Sequence, residues 1–539
     1  MMMNYQLTLR SMLERGEKLF PKKEIVSRTL SGIFRYTLGE YGCRTRRLSS
    51  ALASLGVKPG DRVGTFAWNN HRHMEAYFAI PCMGSILHTI NIRLSAEHIV
   101  YIINHAGDKL LLIDEDLVPV IEKVQDQLKT VESYIIMTDK PELPPTSLSP
   151  VYSYESLLEK GDPQHAYPTD LDENTPMGMC YTSATTGNPK GVVYTHRAVV
   201  LHSMCAGMAD TLAISERDSL LPVVPMFHVN AWGLPFASVW LGSKMVLPGP
   251  APTPKILLEL IEQEKVTFTA GVPTVWLGVL KELGEKAYDT SSLRAVVNGG
   301  SAAPRDMIRV FEEKYNIPFL HAYGMTETAP VVLVSRLKTY QENLSRDEIL
   351  DIKAKQGLLV PGLEMKVVGD GGEVKWNGQD MGELLLKGPW IADEYYCDER
   401  TAATFSDGWL HTGDVAVVDE EGVVKLVDRM KDLIKSGGEW ISSVDLENTL
   451  MAHPAVFEAC VIGVPHPKWQ ERPVACVVLK EGFKDKVTEQ EIQEFLGEKF
   501  AKWWIPDRVL FMESIPKTSV GKFLKRALRE TLKSMDTIA

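Results

Sequence analysis

The sequence predicts an α/β protein with a large N-terminal domain of mixed or parallel sheets flanked by helices, a β-rich subdomain and a small α+β C-terminal domain. Through the first half, helical patterns alternate with short apolar runs, which is typical of parallel strands joined by helices. After Gly357 these patterns give way to short strands separated by Gly and Asp turns. After Asp428 a basic, Gly-containing stretch precedes a last segment with strands and helices of its own.

Helices and strands are predicted in turn along the first half. The N-terminal segment carries charges where a signal peptide would be apolar, and its pattern predicts a short amphipathic helix. The other predicted elements are a helix over residues 44–55, a strand over 62–67, a buried helix over 75–84, a buried strand over 110–113, and a second series of strands and helices at 244–247, 256–264, 268–270, 275–283 and 295–297. Residues 141–168, rich in Pro, Ser, Asp and Tyr, predict a surface connection.

The C-terminal part is predicted to be richer in strands. Strands are expected at residues 365–368, 382–386, 423–426, 459–463 and 474–479, and helices at 489–499 and 522–532. The basic stretch predicts a domain boundary near Lys431, which divides the chain into residues 1–430 and 431–539.

Composition bounds the class of protein. The chain has 539 residues, a net charge of -12 and a pI of about 5.6. Such a length corresponds to roughly three or four domains. Nucleic-acid binding relies on basic patches, so the acidic balance argues against nucleic acid as the main partner. The seven cysteines are scattered without a CxxC pair, which favours reduced thiols in a cytoplasmic protein over a disulfide frame or a zinc site. No run of about 18 uncharged apolar residues occurs, so no membrane span is expected.

The strongest local signal is the segment YTSATTGNPKGV, residues 181–192, which lies between two short apolar runs. It offers hydroxyls, Gly backbone and one ammonium at Thr182, Ser183, Thr185, Thr186, Gly187 and Lys190. A polyphosphate needs many donors and a cation at close range, and this segment supplies them. Its spacing differs from that of a P-loop. The alternative interpretation is an ordinary polar turn between two strands.

A second segment, HAYGMTET at residues 321–328, places a carboxylate beside two hydroxyls after a Gly turn. Glu327 is therefore a candidate magnesium ligand, because magnesium prefers oxygen ligands. Tyr323 could stack on a base. The alternative is that Thr326 and Glu327 simply begin a helix.

Two further segments carry weaker signals. In HTGD, residues 411–414, Asp414 could accept hydrogen bonds from both hydroxyls of a ribose. In PKTSVGK, residues 516–522, Lys522 follows a Gly in a loop of small residues. Taken singly, the first is typical of a turn and the second of a solvated helix start.

In this order and spacing, the four segments resemble the adenylate-forming superfamily, which contains acyl-CoA synthetases, firefly-type luciferases and peptide-synthetase adenylation domains. Its phosphate loop is similar to residues 181–191, its aromatic-Gly-x-Thr-Glu motif to 323–327, its Thr-Gly-Asp to 412–414 and its Gly-Lys loop to 521–522. The bacterial medium- and long-chain fatty acyl-CoA synthetases are the most similar branch, through VPMFHVNAWGLP, GGSAAPRD and KDLIKSGGEWISSVDLEN.

The resemblance assigns roles to particular residues. The nucleotide would contact Gly300, Ser301, Ala302, Ala322, Tyr323, Gly324 and Thr326, its ribose Asp414 and Arg429, and its phosphates the loop that ends at Lys190. Mg²⁺ would bind Glu327 and Thr182, and Lys522, Thr326, Glu327 and His228 would be catalytic. Lys431 would be the hinge, with Lys435 and Trp440 near the nucleotide. The acyl group would lie beside His228, Val229 and Trp232, and coenzyme A beside Gly437, Gly438 and Glu439.

The implied activity is ligation of a fatty acid to coenzyme A through an acyl-adenylate, with ATP, Mg²⁺ and coenzyme A, and a C-terminal domain that is mobile about Lys431. A homodimer is also implied. Alternatives are a ligase for an aryl or other carboxylic acid, transfer to a carrier protein, a luciferase-type reaction with oxygen, and a weakly active nucleotide- or fatty-acid-binding relative.

Three positions depart from the family pattern. Ala184 stands where the loop usually has Gly, and in a left-handed conformation it would cost roughly 1 kcal/mol. Lys431 stands where relatives often have Asp, and Ala322 where Gly often precedes the Tyr.

Overall fold

The computed structural model describes residues 1–182, 187–437, 439–484, 486–518 and 521–534. The first part of the chain contains α1 (Leu9–Leu19), β1 (Glu24–Arg28), β2 (Ile33–Thr37), α2 (Leu38–Ser54), β3 (Arg62–Phe66), α3 (His71–Cys82), β4 (Ile86–Thr89), α4 (Ala96–Ala106), β5 (Asp108–Asp114), α5 (Val118–Glu122), β6 (Ser133–Met137), β7 (Val151–Ser153), α6 (Tyr154–Lys160) and β8 (Pro176–Tyr181). The predicted helices and strands of this part are confirmed. The prediction of a surface connection over residues 141–168 is corrected, because this segment contains β7 and α6, and Ser153 caps that short helix.

The middle of the chain repeats the alternation. It contains β9 (Gly191–Thr195), α7 (His196–Gly207), β10 (Ser219–Pro222), α8 (Val229–Trp232, a single left-handed turn), α9 (Leu234–Leu241), β11 (Lys244–Leu247), α10 (Pro254–Glu264), β12 (Phe268–Gly271), α11 (Pro273–Glu285), β13 (Ala295–Asn298), α12 (Arg305–Arg309), β14 (Phe319–Gly324), β15 (Val331–Val334), α13 (Arg346–Ala354) and β16 (Leu358–Leu359). Short 3-10 turns lie at Glu115–Leu117, Gln125–Gln127, Thr326–Thr328, Thr339–Asn343 and Lys502–Trp504, and a π turn at Val310–Lys314.

These strands form two sheets. The first has the order β7-β6-β5-β3-β4-β8-β9, and all its neighbours are parallel except β8 and β9. The second has the order β16-β15-β14-β13-β12-β10-β11-β1-β2, parallel from β14 to β1. Parallel strands are covered on both faces, which explains continuous apolar runs such as the fully buried end of β5. The amphipathic helix α1 packs its buried side, which includes Leu9, Met12 and Leu13, against α9 and α2.

Two of the predicted motifs and the loop at residues 299–301 follow the carboxyl ends of parallel strands. The parallel strands β8, β13 and β14 end directly before the phosphate-loop segment, before Gly299 and before Thr326. Ligands of open α/β sheets bind at the carboxyl ends of such strands. Since β13 and β14 are neighbours in the sheet, the segments that follow them must lie side by side.

The β-rich subdomain is a third, antiparallel sheet. It contains β17 (Glu364–Gly369), β18 (Gly372–Glu373), β19 (Gly382–Lys387), α14 (Thr401–Thr404), β20 (Phe405–Ser406), β21 (Trp409–Val418) and β22 (Val424–Arg429). The prediction of a turn at residues 411–414 is wrong, because these residues are part of the long strand β21. The register pairs Asp414 with Arg429 across β21 and β22, so the strand itself brings the two side chains together.

The C-terminal part has its own sheet and core. It contains β23 (Ile434–Ser436), β24 (Glu439–Ile441), α15 (Ser443–Met451), β25 (Val456–His466), β26 (Gln470–Leu479), α16 (Glu489–Gly497), β27 (Arg508–Phe511) and α17 (Lys525–Ser534). Lys431 lies in the turn between β22 and β23. The last helix begins at Lys525, not at Lys522 as predicted, because Lys522 and Thr518 close a tight loop through two hydrogen bonds, Thr518 N–H to Lys522 O (2.7 Å) and Lys522 N–H to Thr518 Oγ1 (3.1 Å).

Candidate active site

Two adjoining cavities lie at the shared strand ends, below the C-terminal part. One, of about 240 Å³, is lined by Gly300, Ser301, Ala302, Ala322, Tyr323, Gly324, Asp414, Arg429 and Lys522. The other, of about 410 Å³, is lined by Thr182, Lys190, His228, Val229, Trp232, Thr326, Glu327, Lys431 and Lys522. Gly300, Tyr323, Arg429 and Lys522 border both cavities. The structure therefore brings most of the predicted residues to one continuous site.

Asp414 is held between two partners. Its Oδ1 accepts from Arg429 Nε at 2.7 Å, and its Oδ2 accepts from the Tyr323 hydroxyl at 2.6 Å. Burial, and then the Asp414 charge, hold the pKa of Tyr323 well above its ordinary value. Asp414 likewise raises the pKa of Arg429. The carboxylate is thus fixed at the mouth of the smaller cavity, with lone pairs available to a diol.

The loop after β13 forms a flat wall of the smaller cavity. Gly300 has a φ of 82°, and a Cβ there would lie 3.3 Å from Lys522 Cε. The Asn298 amide donates to Ser301 O at 3.0 Å and fixes the loop. With no side chain at Gly300 and small ones at Ser301 and Ala302, the backbone can approach a planar base closely.

The larger cavity contains the candidate phosphate and metal groups. Lys190 N–H donates to Thr182 Oγ1 at 3.1 Å, and Tyr194 donates its hydroxyl to Thr326 O at 2.8 Å. The Glu327 carboxylate is only 5 % exposed. Its Oε1 accepts a hydrogen bond from the hydroxyl of Tyr395 at 2.6 Å.

The Glu327 surroundings suit a hard cation. A buried carboxylate beside a neutral hydroxyl is a group that a cation would stabilise. Within the described part of the chain, no cluster of three or more His, Cys, Asp or Glu side chains could hold a metal. A single carboxylate, that of Glu327, suits Mg²⁺, which keeps several waters and binds through one or two protein oxygens plus phosphates. Thr182 borders the same cavity and could supply the second oxygen.

Lys522 reaches both cavities from the C-terminal part. Burial, and then the nearby Arg429, lower the pKa of Lys522 to about 8, while Asp414 and Glu327 oppose this shift. Lys522 and Arg429 are the two basic side chains that line both cavities in the described part of the chain.

This pKa predicts the pH dependence of the unliganded enzyme. If the site performs the adenylate formation that the sequence resemblance implies, kcat/KM for ATP should fall above about pH 8, because Lys522 loses its charge as the pH rises through its pKa. Bound phosphates would raise the pKa again, so kcat should hold to higher pH. Initial rates measured across pH test this; a kcat/KM profile that stays flat well above pH 8 would contradict it.

His228, Val229 and Trp232 lie together at the opposite wall. Burial, and then the Lys522 charge, lower the pKa of His228 to about 3, so the imidazole is neutral at neutral pH. Trp232 covers the turn before Gly300, since a Cβ on Gly299 would lie 2.8 Å from its ring. A third cavity of about 280 Å³, lined mostly by apolar residues, reaches His228 and Gly521 from the other side.

This wall has a left-handed backbone that the sequence did not predict. Five consecutive residues, 229–233, have φ between 45° and 76°. Each non-Gly residue in that conformation costs roughly 1–2 kcal/mol. Two hydrogen bonds fix the chain just before this turn: Met226 N–H donates to Asn69 Oδ1 at 2.7 Å, and the Tyr77 hydroxyl donates to Met226 O at 2.5 Å. Strain of this kind concentrates at functional sites.

Several predicted residues lie elsewhere. Lys435 and Trp440 face solvent across the β23–β24 hairpin, where the register pairs them and the ammonium lies 5.2 Å from the indole centroid. Neither borders the two cavities, so this arrangement does not bring them to the nucleotide region. Gly437 and Glu439 lie on the same exposed hairpin. Ser183, Ala184, Thr185, Thr186 and Gly438 lie outside the described residues; Gly187 borders Arg400.

Sequence reasoning missed other site residues. Tyr395 and Arg400 border the phosphate region, and Leu277 and Met307 form an apolar wall of the smaller cavity. They come from a loop and from helices with no motif of their own. Only the topology shows that they reach the site.

Comparison with known proteins gives two family matches. The model of the AMP-binding enzyme family matches residues 13–396, and that of the AMP-binding enzyme C-terminal domain matches residues 445–522. The chain is 50% identical over 538 residues to a long-chain-fatty-acid–CoA ligase of Thermus thermophilus, covering 99% of this chain and 97% of that protein. It is 43% identical over 531 residues to a medium-chain-fatty-acid–CoA ligase of Ectopseudomonas oleovorans, covering 98% and 96%.

Solved structures agree in fold. The anthranilate CoA ligase AuaEII, in complex with anthranoyl-AMP, superposes with a TM-score of 0.87 at 25% identity and covers 99% of each chain. A Mycobacterium tuberculosis fatty acyl CoA synthetase gives a TM-score of 0.72 at 28% identity, covering 98% of this chain and 99% of that one. With motifs, geometry and family models in agreement over nearly its whole length, the chain belongs to the AMP-binding, adenylate-forming enzyme family.

Proposed function

We propose that the protein is an AMP-forming acid–CoA ligase that joins a medium- or long-chain fatty acid to coenzyme A. One observation carries the proposal: Glu327, Lys190 and Lys522 converge on the same cavity that adjoins the Asp414–Arg429 pair. This arrangement suits a nucleotide whose phosphates point toward a second reactant. His228 and Trp232 border the same space from the opposite wall.

The chemical problem is one of charge. The carboxylate oxygen of the acid must attack the α-phosphorus of ATP, so that an acyl–O–P bond forms and pyrophosphate leaves. Lys190 and Lys522 supply fixed positive charge where an anion approaches a polyanion. The neutral His228 can position the acid by hydrogen bonding without adding charge.

The site fits a metal ion as well. Glu327 would hold Mg²⁺ with Thr182, and the bound ion would neutralise phosphate charge. The burial of Glu327 and its hydrogen bond from the Tyr395 hydroxyl would fix the position of the bound ion.

The second half-reaction transfers the acyl group to sulfur. The thiol of coenzyme A attacks the acyl carbon, its proton is released, and AMP leaves. A free thiol has a pKa of about 8.5, so a thiolate fraction is present near neutral pH. The C-terminal domain, residues 431–539, would turn about Lys431, withdraw Lys522 and present Gly437, Gly438 and Glu439 to the coenzyme. Gly437 and Glu439 are exposed on their hairpin, as this role requires.

The choice of acid rests on relatives. Two similar proteins are named ligases for long- and medium-chain fatty acids. A 3-methylmercaptopropionyl-CoA ligase of Ruegeria lacuscaerulensis is 42% identical over 99% of this chain and 98% of its own, so a short acid is the alternative.

No described helix is long and apolar enough to cross a bilayer.

The direct test is a mixed assay with ATP, Mg²⁺, decanoate and coenzyme A, followed by detection of the thioester, AMP and pyrophosphate. Acids from acetate to palmitate should then be screened. We expect thioester formation to be best with medium or long acids. Activity confined to acetate or to aryl acids would reject the proposed substrate class. Adenylate without any thioester would point to a carrier protein or to oxygen as acceptor.

Trp232 gives a residue-level prediction for the acid side. Replacement by Ala removes the indole that covers Gly299. We expect the KM for the acid and the order of preference among chain lengths to change, while the KM for ATP stays within about threefold, since the Asp414 side is untouched. A shift in the KM for ATP with no change in acid preference would contradict this role.

A further inference from the structure

The segment 391–400 connects two parts of the larger cavity: the turn that contains Glu327 and the chain around Lys190. Its main chain bonds both: Ala392 N–H donates to Glu327 O at 2.8 Å, and Tyr396 N–H donates to Gly191 O at 2.9 Å. At its end, Arg400 Nη1 donates to Asn188 O at 3.1 Å. The segment is therefore fastened to the strand β14 side and to the phosphate-loop side at once.

Tyr395 is the central residue of this connection. Its hydroxyl accepts from Lys190 Nζ at 2.7 Å and donates to Glu327 Oε1 at 2.6 Å. The Lys190 ammonium also lies 4.0 Å from the centre of the Tyr395 ring. The side chain is 2 % exposed and packs edge-on to Phe405, so its hydroxyl has little freedom.

The hydrogen-bond directions make this arrangement specific. A phenol has one O–H group, which here donates a hydrogen bond to the Glu327 carboxylate, while its oxygen accepts a hydrogen bond from the Lys190 ammonium. Lys190 and Glu327 are thus kept apart by one oxygen atom instead of forming a direct ion pair. A direct pair would neutralise both groups and use the carboxylate oxygens that a cation needs.

We propose that Tyr395 is a positioning residue for adenylate formation: its hydroxyl holds the Glu327 carboxylate open for a divalent cation and the Lys190 ammonium open for a phosphate. The inference rests on the proposed function, because it assigns the two groups to metal and phosphate. It extends that function by making the metal affinity depend on a residue outside the metal-binding motif.

The test is Tyr395→Phe, which keeps the ring over Lys190 and removes only the hydroxyl. We expect the Mg²⁺ concentration for half-maximal pyrophosphate exchange to rise by about ten-fold or more, in line with the loss of a hydrogen bond to a charged group. Excess Mg²⁺ should restore part of the rate. The affinity for Mn²⁺ in the presence of a non-hydrolysable ATP analogue, measured by electron paramagnetic resonance, should fall by a similar factor.

The matched control is Tyr396→Phe, which removes the neighbouring hydroxyl from a ring that lies edge-on to His105. It should leave the Mg²⁺ dependence unchanged. For both variants, thioester formation from supplied acyl-adenylate, a step without pyrophosphate, should stay at the wild-type rate and show that the protein is folded.

The outcomes separate the inference from the function on which it rests. Wild-type protein that cannot exchange pyrophosphate into ATP rejects the proposed function. Active wild type together with unchanged Mg²⁺ and Mn²⁺ dependence in Tyr395→Phe overturns the role of Tyr395. A fall in rate without any change in metal dependence would also overturn it, because loss of packing alone would act in that way.

Discussion

Replacing Lys522 with Ala should reduce acyl-adenylate formation by about 10²–10³-fold, the range seen when a preorganised charge-stabilising group is removed. Lys522 borders both cavities, and a Cβ on Gly300 would lie 3.3 Å from its Cε, so its side chain packs closely against the loop after β13. Pyrophosphate exchange measures this half-reaction alone. The matched control is Lys517→Ala, which removes a lysine of the same loop that pairs with Glu458 at 2.6 Å.

The same variant should leave thioester formation from supplied acyl-adenylate near the wild-type rate. The physical reason is that the negative charge of pyrophosphate has already left, and the proposed rotation about Lys431 withdraws Lys522. Stopped-flow detection of the thioester measures this step. Equal loss of both half-reactions would contradict the rotation.

Replacing Asp414 with Asn should weaken nucleotide binding by about ten- to hundred-fold. The change removes the charge that pairs with Arg429 and bonds Tyr323. Hydrogen bonds to charged groups contribute about 1.5–3 kcal/mol each. The Arg429 side chain is 44% exposed, so water compensates in part, and the loss of folding stability should be only about 1–2 kcal/mol.

Calorimetric titration with ATP and thermal unfolding separate these two effects. Asp419→Asn is the control, because Asp419 pairs with Lys355 at 2.7 Å in the same subdomain but away from the cavities. It should cost stability alone. Equal nucleotide affinity in wild type and Asp414→Asn would reject Asp414 as the ribose ligand.

Much of the fold was readable because local patterns and tertiary structure agree. Buried parallel strands leave continuous apolar runs, as in β5. The predicted helix over residues 44–55 begins six residues after the start of α2 at Leu38, which the capping box of Thr37 and Glu40 determines. The motif residues were readable for a different reason. Each motif taken singly also allowed a turn or a helix start; their joint order and spacing, through the resemblance to the adenylate-forming superfamily, identified them, and the carboxyl ends of neighbouring strands must meet.

Other features depend on contacts that no local pattern records. Asp414 was expected in a turn, but the pairing of β21 with β22 determines its place opposite Arg429. The left-handed turn after His228 contains Val, Ala and Trp, which rarely adopt positive φ, beside Asn and Gly, which adopt it more readily. Contacts from Asn69 and Tyr77 hold the chain that leads into this turn. Tyr395 reaches Glu327 across 68 residues of sequence, so only the assembled fold shows the contact.

The central claim is that the site formed by the two adjoining cavities makes a mixed anhydride of the acid and AMP from ATP. Exchange of labelled pyrophosphate into ATP tests it most directly, with wild-type protein, Mg²⁺ and decanoate, and without coenzyme A. The account predicts exchange that requires the acid and is lost in Lys522→Ala. Exchange that ignores the acid, or no exchange with any acid from acetate to palmitate, would contradict it.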